Sequence, residues 1–499
     1  MSKQKFGLTV KKSENFSTWY TQVLDKGEFL DYYDVKGCYI LRPNGQFIWS
    51  EIRRWFTNEI EKINVEEYSF PMLIPKAFLE KEASHISDFS PEVAWITKCG
   101  DEVLHEPVAI RPTSETVIYP SFAKWISSHR DLPLKINQWC NILRWELRGT
   151  TPLIRSKEFL WQEGHTAHLK KSDADEEVLY VLDLYYRIYK ELLAVPVIKG
   201  IKTENEKFAG ADYSTTVEGF IPQVGRGIQA ATSHHLGQTF SQMFDVKAQI
   251  DDNSSEFVYQ NSWGFTTRSL GIAVMIHSDD KGLVLPPRVA KTQVIIIPCG
   301  IKTKTKDEDK KKLINVVEKI KRQLLSANIR AQVDSRDNIT VGYKYNHWEL
   351  KGVPLRFTIG PEELEKKEIC VYKRNTGEKS QVQYNEDIAN ITSKLLDEIQ
   401  KELYDKALVE QNSKIKYVKD FPEFIKFLDN NFLLMTPWCE KSECEEEIKK
   451  RSTKYEDGKI LLAGAKSLCI PFESKEFNNE TCIICNGTCK RYTLFGRSY

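Results

Sequence analysis

The side chains best suited to bind a phosphorylated ligand lie within residues 138–168. Two apolar runs in this stretch predict antiparallel strands joined by a polar loop. Because strand residues two apart share a face, Arg144 and Glu146 would point the same way. Arg155 at the end of the loop and Phe159 on the returning strand would add a second guanidinium and an aromatic face, as a nucleoside triphosphate requires. The alternative is a solvated hairpin with surface ion pairs.

A hydroxyl and carboxylate cluster precedes a predicted helix at Thr113, Ser114 and Glu115. An acidic side chain at such a turn could receive the ammonium group of an amino-acid substrate. The alternative is that Thr113 or Ser114 caps the helix, while Glu115 in its first turn interacts favourably with the helix dipole. The pattern alone leaves both interpretations open.

Two segments further along the chain could contact the same ligand. Gln229, Thr232 and His234 follow a glycine-rich approach, where small residues let a ligand reach the backbone. A lone histidine is nevertheless more often structural than catalytic. Arg268 follows Gly264 and begins a predicted apolar helix. Because the helix dipole and the guanidinium both favour phosphate, this arginine could lie over a nucleotide, although a pair with a carboxylate is the alternative.

Six of the eleven cysteines lie between residues 439 and 489, whereas the other five are scattered. This clustering and the odd total favour a metal site over a disulfide framework. A C-x4-C and C-x2-C pattern that could close tetrahedrally on zinc is formed by Cys439, Cys444, Cys482 and Cys485. Cys489 is a possible substitute ligand, and a set of free thiols is the alternative. Four thiolates without an open position would make the ion structural.

Composition limits the classes of protein that fit. The 499 residues predict about three domains. The chain has 71 Lys and Arg against 70 Asp and Glu, so it lacks the overall positive charge that would indicate a nucleic-acid partner. Any nucleic-acid binding site must therefore be a local basic patch. No apolar run approaches the roughly 20 residues that span a bilayer, and the start lacks the apolar core of a secretory signal. A cytoplasmic location is therefore predicted.

The helices and strands that would position the residues of the candidate ligand site, from Thr113 to Arg268, are predicted within the first 286 residues. Residues 1–16 are polar and are expected to be flexible. A strand pair is predicted around a turn that begins at Pro43 and precedes a helix. A short apolar strand is predicted to end in Pro71 and Pro75, and these prolines indicate either a strand edge at a subunit contact or a plain edge strand. Another strand is expected to stop at Gly264.

Two consecutive prolines then separate this region from a new alternation of strand and helix patterns. The alternation predicts a compact α/β domain of about 100 residues with a mainly parallel sheet. Its middle mixes cations with aromatic rings, as single-stranded RNA binding requires, at Arg336, Lys344, Trp348, Lys351 and Arg356. The same mixture also occurs on ordinary protein surfaces. From about Ile388, two helical segments are expected before the clustered cysteines.

Taken together, these residues resemble a class II aminoacyl-tRNA synthetase, and specifically the prolyl-tRNA synthetase family of eukaryotes and archaea. The strand at Pro71 resembles the first motif of the class, which lies at the dimer interface. Residues 144–159 resemble the second motif, and residues 264–268 the third. The segments similar to the proline pocket of the family are residues 111–115, 161–165 and 229–234.

The resemblance implies roles for individual residues. Catalytic roles are implied for Arg144, Glu146, Arg155 and Arg268. Proline binding is implied for Thr113, Glu115, Arg144, Trp161, Glu163, His165, Phe208 and His234. ATP binding is implied for Arg144, Glu146, Arg155, Phe159, Gln229, Thr232, Thr266 and Arg268. Anticodon binding is implied for Arg336, Glu349, Lys351 and Arg356. Mg²⁺ would assist at the phosphates, and structural Zn²⁺ would be bound by the four cysteines.

The resemblance also implies an architecture and partners. After the flexible extension, an α+β catalytic domain with a mainly antiparallel sheet would span residues 17–286. An α/β anticodon-binding domain would span residues 287–400, and a small zinc-binding α/β domain residues 401–499. The expected protein is a homodimer that attaches proline to tRNA(Pro) through a prolyl-adenylate.

Two alternatives accompany the resemblance. A catalytically inactive relative that binds RNA or regulates would have lost Arg144, Glu146 or Arg268, and all three are present. A class II enzyme specific for threonine would use an active-site zinc with cysteine and histidine ligands, whereas Cys140 stands alone.

Overall fold

The computed structural model describes residues 7–85, 93–145, 149–300, 305–385, 387–457 and 459–499. In the first region, up to residue 277, the helices are α1 (Phe16–Lys26), α2 (Pro43–Glu61), α3 (Lys76–His85), α4 (Glu115–Trp125), α5 (Lys171–Arg187), α6 (Thr239–Phe244) and α7 (Arg268–His277). The strands are β1 (Leu30–Tyr32), β2 (Tyr39–Leu41), β3 (Glu66–Glu67), β4 (Leu73–Pro75), β5 (Trp95–Cys99), β6 (Glu102–Ile110), β7 (Leu134–Leu143), β8 (Glu158–His168), β9 (Ile198–Ile201), β10 (Tyr213–Ile221), β11 (Arg226–Gly237), β12 (Lys247–Asp251), β13 (Ser254–Phe257) and β14 (Tyr259–Thr266). Among all described helices, none is both long and apolar enough to cross a membrane.

The middle region, residues 293–413, and the C-terminal region, residues 415–499, complete the chain. The middle region contains β15 (Val294–Pro298), α8 (Asp307–Ser326), β16 (Ala331–Val333), α9 (Val341–Leu350), β17 (Leu355–Ile359), α10 (Pro361–Lys366), β18 (Glu368–Lys373), β19 (Lys379–Gln383) and α11 (Ile388–Ser413). The C-terminal region contains β20 (Ile415–Tyr417), α12 (Phe421–Asp429), β21 (Leu433–Pro437), α13 (Ser442–Ser452), β22 (Lys454–Glu456), β23 (Lys459–Leu462), β24 (Lys466–Pro471) and β25 (Tyr492–Ser498).

One large sheet joins the first region to the C-terminal region. Its strand order is β20-β21-β25-β24-β9-β10-β11-β14-β8-β7-β3. Antiparallel pairing runs from β24 through β9 to β7, so the sheet is mainly antiparallel as predicted. Helix α5 turns its apolar stripe, which includes Val178, Val181, Leu182 and Tyr185, into the core that covers one face of the sheet.

The predicted hairpin at residues 138–168 is confirmed as the β7–β8 pair, in register from Leu134 opposite Ala167 to Leu143 opposite Glu158. The end of β7 differs from the prediction. Strand β7 ends at Leu143, so Arg144 lies just beyond it, although its backbone N–H still donates to the Lys157 carbonyl at 2.8 Å.

Three local predictions in the first region are wrong. The turn at Pro43 is the first turn of α2, because the fixed φ of a proline suits the first helical position, and the β1–β2 connection lies earlier, at residues 33–38. The predicted strand end is wrong for Pro71, which lies in the connection between β3 and β4, although β4 does end at Pro75. Strand β14 continues through Gly264 to Thr266, since its pairing with β8 extends that far.

The described part of the N-terminal extension is held against the protein rather than loose. The Lys12 side chain donates to the carbonyl oxygens of Ile276 and Ser278, and its backbone N–H donates to Asp280. Residues 1–6 lie outside the described residues. Contacts of this kind tie residues 9–15 to the rest of the chain, and the flexibility of the extension stays a prediction.

The middle region differs from its prediction in sheet direction and in its end. Strand order is β16-β15-β17-β18-β19, with parallel pairs on both sides of β15 and antiparallel pairs beyond β17. The sheet is thus mixed rather than mainly parallel. Helix α11 runs through the expected boundary at residue 400, and Leu396, Ile399 and Leu403 all pack in the core of this region. The two helical segments expected between about Ile388 and the clustered cysteines are confirmed as α11 and α12, and α13 begins only after Cys439.

Candidate active site

A cavity of about 390 Å³ opens on the face of the large sheet that α5 does not cover. Among the residues that line it are almost all those for which proline or ATP binding was expected: Thr113, Glu115, Arg144, Arg155, Phe159, Trp161, Glu163, His165, Phe208, Gln229, Thr232, His234, Thr266 and Arg268. Glu146 lies outside the described residues. Residues far apart in the chain therefore meet in one place, as the sequence predicted.

Strand β8 explains why one sequence segment serves both the cavity and the core. Trp161, Glu163 and His165 line the cavity, and the residues between them face α5. Gln162 accepts a 2.7 Å hydrogen bond from the Tyr185 hydroxyl on that helix. Gly164 leaves room for Trp263, since a Cβ at this glycine would lie 2.0 Å from the indole ring. The two-residue period of a strand thus separates ligand-facing from core-facing side chains.

Glu163 is a buried carboxylate surrounded by donors. Its Oε1 accepts hydrogen bonds of 2.6 Å from both Ser114 Oγ and Gln138 Nε2, and its Oε2 lies 3.1 Å from His165 Nε2. Burial raises the pKa of Glu163, but the hydrogen bonds and the charge of the histidine outweigh it, and the net pKa is lowered. The cavity therefore contains a fixed negative charge, which suits a cationic amine.

The start of α4 adds a second acidic group. Glu115 is buried and accepts a hydrogen bond from the Thr113 hydroxyl. Ser114 occupies the N-cap position without a side-chain capping bond, because its hydroxyl donates to Glu163 instead. The capping alternative is thus wrong for Ser114, and the turn serves the cavity. Glu115 does lie in the first turn of the helix.

Among the residues that the structure describes, three guanidinium groups share the cavity, those of Arg144, Arg155 and Arg268. Arg144 donates from Nε to the Pro112 carbonyl at 3.0 Å, and its guanidinium lies 5.7 and 5.3 Å from the ring centroids of Phe159 and Trp161. Arg268 donates from Nε to Ile154 and from Nη1 to Gln229, both at 3.1 Å.

The charge on these arginines favours an anionic ligand. Burial lowers the pKa of Arg268, and the neighbouring cations Arg144 and Arg155 lower it further. Because like charges in one cavity repel, an anion with several oxygens would stabilise all three guanidinium groups. A triphosphate has this property.

His234 and Phe208 close the side of the cavity next to β10. Their rings lie 4.9 Å apart, and His234 Nδ1 lies 2.7 Å from Ser214 Oγ. Burial, together with smaller contributions from His165 and Lys202, lowers the pKa of His234 to about 3. A neutral imidazole beside an aromatic ring forms an apolar wall with one polar edge, which suits a small saturated ring.

The structure also brings residues to the cavity that the sequence did not single out. Lys202, Glu206 and Lys207 line it, in the segment between β9 and β10. Lys202 Nζ lies 2.7 Å from Glu218 Oε1 and donates to the Leu468 carbonyl at 2.8 Å. In the sequence these residues belong to a charged stretch that is indistinguishable from a solvated loop, so no pattern marked them.

The residues expected to bind an anticodon are largely paired with other groups. Lys351 Nζ lies 2.8 Å from Glu28, and Arg336 makes two hydrogen bonds to Asp334. Glu349 accepts hydrogen bonds from Lys281 at 3.1 Å and from the hydroxyl of Tyr372 at 2.5 Å.

Arg356 is 9% exposed and lies between two rings, 3.9 Å from Tyr345 and 4.2 Å from Tyr372. It therefore offers little surface to RNA and orients the two tyrosines instead. The Trp348 indole donates to Asp334 at 2.8 Å, so this surface is an interlinked set of cations, carboxylates and rings.

The four cysteines predicted to bind metal converge in the C-terminal region. The sulfur atoms of Cys439, Cys444, Cys482 and Cys485 all lie within 4.8 Å of one another. The Sγ atoms of Cys439 and Cys485 are 3.7 Å apart, close to the edge of roughly 3.8 Å of a sulfur tetrahedron with zinc–sulfur bonds of about 2.3 Å. The donor set therefore fits zinc. Cys489 lies outside this set of four cysteines, and its Sγ donates to the Gly487 carbonyl. Cys469 is a buried core thiol, as predicted.

Three family models match successive parts of the chain. The class II tRNA synthetase core domain (G, H, P, S and T) matches residues 98–277, the anticodon binding domain residues 293–394, and the C-terminal domain of prolyl-tRNA synthetase residues 421–499.

Curated relatives match over nearly the whole length. The chain is 58% identical over 502 residues to the proline--tRNA ligase of Encephalitozoon cuniculi, covering all of both chains. It is 48% identical over 494 residues to the cytoplasmic proline--tRNA ligase of Arabidopsis thaliana, covering 99% of this chain and 91% of the relative. It is 40% identical over 495 residues to the proline--tRNA ligase of Cenarchaeum symbiosum, covering 99% of this chain and all of the relative.

Proposed function

The chain belongs to the prolyl-tRNA synthetase family of class II aminoacyl-tRNA synthetases, and from this premise we propose which residues perform each step. The protein is a proline--tRNA ligase that uses ATP to attach proline to tRNA(Pro). One observation carries the assignment of residues: a single cavity contains a buried carboxylate, Glu163, together with Arg144 and Arg268. These groups are complementary to an amino acid and to a triphosphate.

Proline would bind at the end of the cavity formed by Glu163 and Glu115. Its positively charged secondary amine would face these carboxylates and the Thr113 hydroxyl. Its ring would lie against Trp161, with Phe208, His234 and His165 forming the rest of the wall. A neutral His234 suits this role, because a charged imidazole would repel the amine.

ATP would bind at the arginine end. Arg144 would contact the carboxylate of proline and the α-phosphate, while Arg155 and Arg268 would contact the β- and γ-phosphates. Adenine would lie between Phe159 and the plane of Arg268, with Gln229, Thr232 and Thr266 bonding ribose or adenylate atoms. Mg²⁺ would be bound mainly by phosphate oxygens, as this ion prefers, and would neutralise charge.

The first reaction joins proline to AMP. A carboxylate oxygen of proline attacks the α-phosphorus, the bond to the bridging oxygen breaks, and pyrophosphate leaves with the electron pair. Catalysis would come from alignment and from charge neutralisation by Arg144 and Arg268, with no covalent enzyme intermediate. Glu146 would belong to the same set. A hydroxyl of the terminal ribose of tRNA then attacks the prolyl carbonyl carbon, and AMP leaves.

The middle region would bind the anticodon end of tRNA. Its match to an anticodon binding domain supports this proposal. Arg336, Glu349 and Lys351 would contact nucleotides, with Arg356 holding the two tyrosine rings from behind. Because Lys351 pairs with Glu28 in the first region, RNA binding here would compete with that ion pair.

The C-terminal region would bind a structural Zn²⁺ through Cys439, Cys444, Cys482 and Cys485. When bound, zinc would supply cross-links between distant segments rather than chemistry, since four thiolates leave no open coordination position. We place the catalytic domain at residues 17–286, the anticodon-binding domain from residue 287, and the zinc-binding domain after α11, because that helix packs with the middle region.

The proposed assembly is a cytoplasmic homodimer that contacts its second copy near Pro71. Arg111 fixes this segment, because its Nη1 donates to the Phe70 carbonyl at 2.9 Å. Apolar side chains next to it are exposed, including Met72, Leu73 and Trp95. Light scattering should give a dimer mass for the natural protein and a monomer mass for Leu73→Glu, and equal masses would contradict this interface.

Amino-acid-dependent ATP–pyrophosphate exchange, measured across the twenty amino acids, tests the assignment. We expect exchange with proline and none with threonine, followed by charging of tRNA(Pro) but not of other tRNAs. Exchange with a different amino acid would overturn the proline assignment. Absence of any exchange in a folded protein with full zinc content would overturn the ligase assignment.

A further inference from the structure

Residues 202–208, here named the 202–208 loop, are the first part of the connection from β9 to β10 and form one wall of the cavity. Lys202, Glu206, Lys207 and Phe208 all line it. Phe208 reaches the proposed proline site directly, since its ring lies 4.9 Å from that of His234. The conformation of this loop therefore sets the shape of the proline site.

The C-terminal region makes a series of polar contacts with residues 202–206 of this loop. The Lys202 Nζ donates to the Leu468 carbonyl at 2.8 Å. The Thr203 Oγ1 donates to Glu445 Oε1 at 3.2 Å and lies 3.0 Å from Ser467 Oγ. Further along the loop, Ser442 Oγ donates to Asn205 Oδ1 at 2.8 Å, and Lys466 Nζ lies 3.0 Å from Glu206 Oε1. The loop is thus held by a region that itself does not contain any of the residues proposed to bind ATP or proline.

Thr203 is the centre of these contacts. Its side chain is 3% exposed, and Glu445 and Ser467 are buried as well. Its carbonyl oxygen also accepts hydrogen bonds from the backbone N–H groups of Glu206 and Lys207, so Thr203 starts the turn that leads to Phe208. Buried hydrogen bonds contribute more than exposed ion pairs, so Thr203 should matter more than the Lys466–Glu206 pair.

The strand before the loop is fixed by the same region. Ile201 at the end of β9 pairs with Ile470 on β24. The backbones approach closely at Gly200, where a Cβ would lie 2.5 Å from the Ile470 carbonyl oxygen. At the other end of the loop, the Phe208 N–H donates to Ser214 Oγ at 2.9 Å, and this hydroxyl also contacts His234. A continuous chain of contacts thus runs from the C-terminal region to the proline site.

We propose that the C-terminal region positions the 202–208 loop for proline binding, with Thr203 and Lys466 acting as positioning residues. This inference rests on the proposed location of the proline site. A short charged loop that is free in solution must be ordered each time proline binds, which reduces the apparent affinity by the fraction of time the loop is competent. Contacts from the C-terminal region remove this cost in advance. Lys202 and Glu206 also line the cavity near Arg155 and Arg268, but Phe208, the loop residue with a proposed substrate contact, lies on the proline wall, so we expect proline binding to depend more on the loop than ATP binding does.

Two variants and a matched control test the proposal in the exchange reaction. Thr203→Val keeps the size of the side chain and removes its hydroxyl, and Lys466→Met removes the ion pair with Glu206. Lys454→Met is the control, because Lys454 also pairs with a carboxylate within the C-terminal region, that of Asp429, but does not touch the loop. Zinc content and the melting temperature are measured in all variants to establish that each is folded.

The expected result is a selective loss of affinity for proline. We expect the KM for proline to rise about tenfold in Thr203→Val and about threefold in Lys466→Met, as a shift from an ordered to a mostly disordered loop would produce. The KM for ATP and kcat at saturating proline should stay within about twofold. Lys454→Met should match the natural protein. Hydrogen–deuterium exchange of residues 202–208 without proline should be faster in Thr203→Val and slow down when proline is added.

Distinct outcomes would overturn distinct statements. Unchanged KM for proline in folded Thr203→Val and Lys466→Met, or equal increases in the KM for proline and for ATP, would overturn the positioning role. A change in KM without faster hydrogen exchange of the loop would overturn it as well. Absence of proline-dependent ATP–pyrophosphate exchange in the natural protein would instead overturn the proposed function.

Discussion

Ser114, at the start of α4, donates a 2.6 Å hydrogen bond to Glu163 on β8. Gln138 on β7 donates to the same carboxylate oxygen. A helix start and two strands thus fix one carboxylate, and its orientation is set before any substrate arrives. Such fixed polar groups bind a charged ligand without reorganising at the moment of binding.

Replacement of Glu163 by Gln should selectively weaken proline binding. The variant keeps the shape of the side chain but loses the negative charge opposite the amine. Its amide also has a single oxygen to accept the hydrogen bonds of Ser114 and Gln138, where the carboxylate has two. Loss of a charge-assisted hydrogen bond of about 2 kcal/mol corresponds to a rise in the KM for proline of about 30-fold. Rates of ATP–pyrophosphate exchange at varied proline concentration give this KM. Glu177→Gln is the matched control, because Glu177 is equally buried but bonds His168 on the other face of the sheet; a similar rise there would contradict the assignment.

Arg144→Lys should lose most of the exchange activity although it retains a positive charge. A lysine cannot donate to the Pro112 carbonyl and to two ligand oxygens in the fixed fork geometry of a guanidinium. We expect kcat to fall by about 100-fold or more, the range seen when one donor to a developing charge is removed. Arg144→Ala should abolish exchange while circular dichroism stays unchanged. Retained exchange in either variant would contradict the role of Arg144.

His234→Gln should make the protein less sensitive to acid. The unfolded chain protonates this histidine below about pH 6.5, whereas the folded chain does so only near pH 3, so acidification favours unfolding across this interval. At pH 5 the penalty is about 2 kcal/mol relative to pH 8. Urea unfolding at the two pH values measures it. The natural protein and the variant losing equal stability between pH 8 and pH 5 would argue against a neutral His234.

Cys439→Ser should lower the zinc content and the melting temperature, because a hydroxyl is a poor substitute for a thiolate ligand. Elemental analysis after dialysis gives the metal-to-protein ratio, and we expect about one in the natural protein and well below half in the variant. Cys469→Ser is the control, since this buried thiol lies outside the quartet and should leave the ratio unchanged. A full ratio in Cys439→Ser would exclude Cys439 as a ligand.

The sequence predicted the residues of the candidate site better than the elements around them. Strand period and short spacing identified Arg144 and Phe159, because neighbours on one hairpin stay neighbours in the fold, whereas Glu163 was identified only by the family resemblance. The turn at Pro43 was misassigned, since a proline followed by small residues suits both a hairpin turn and the first turn of a helix.

Long-range contacts were beyond the sequence. Nothing in the charged stretch around Thr203 indicates that it pairs with Glu445, which lies 242 residues later. The mixed direction of the middle sheet was missed for a related reason, because β19 has Val382 as its one apolar residue and therefore shows no apolar period. Local patterns specify elements, whereas the partners of polar loops depend on how whole regions pack.

The sheet that crosses from β9 to β24 also governs how the protein behaves when it is cut. A chain that stopped before residue 415 would leave the outer N–H and C=O groups of β9 without partners. Open strand edges recruit strands from other molecules, so the shortened protein should self-associate even if its cavity stayed intact. The C-terminal region thus covers the edge of the catalytic sheet, and its removal would expose an edge that favours self-association.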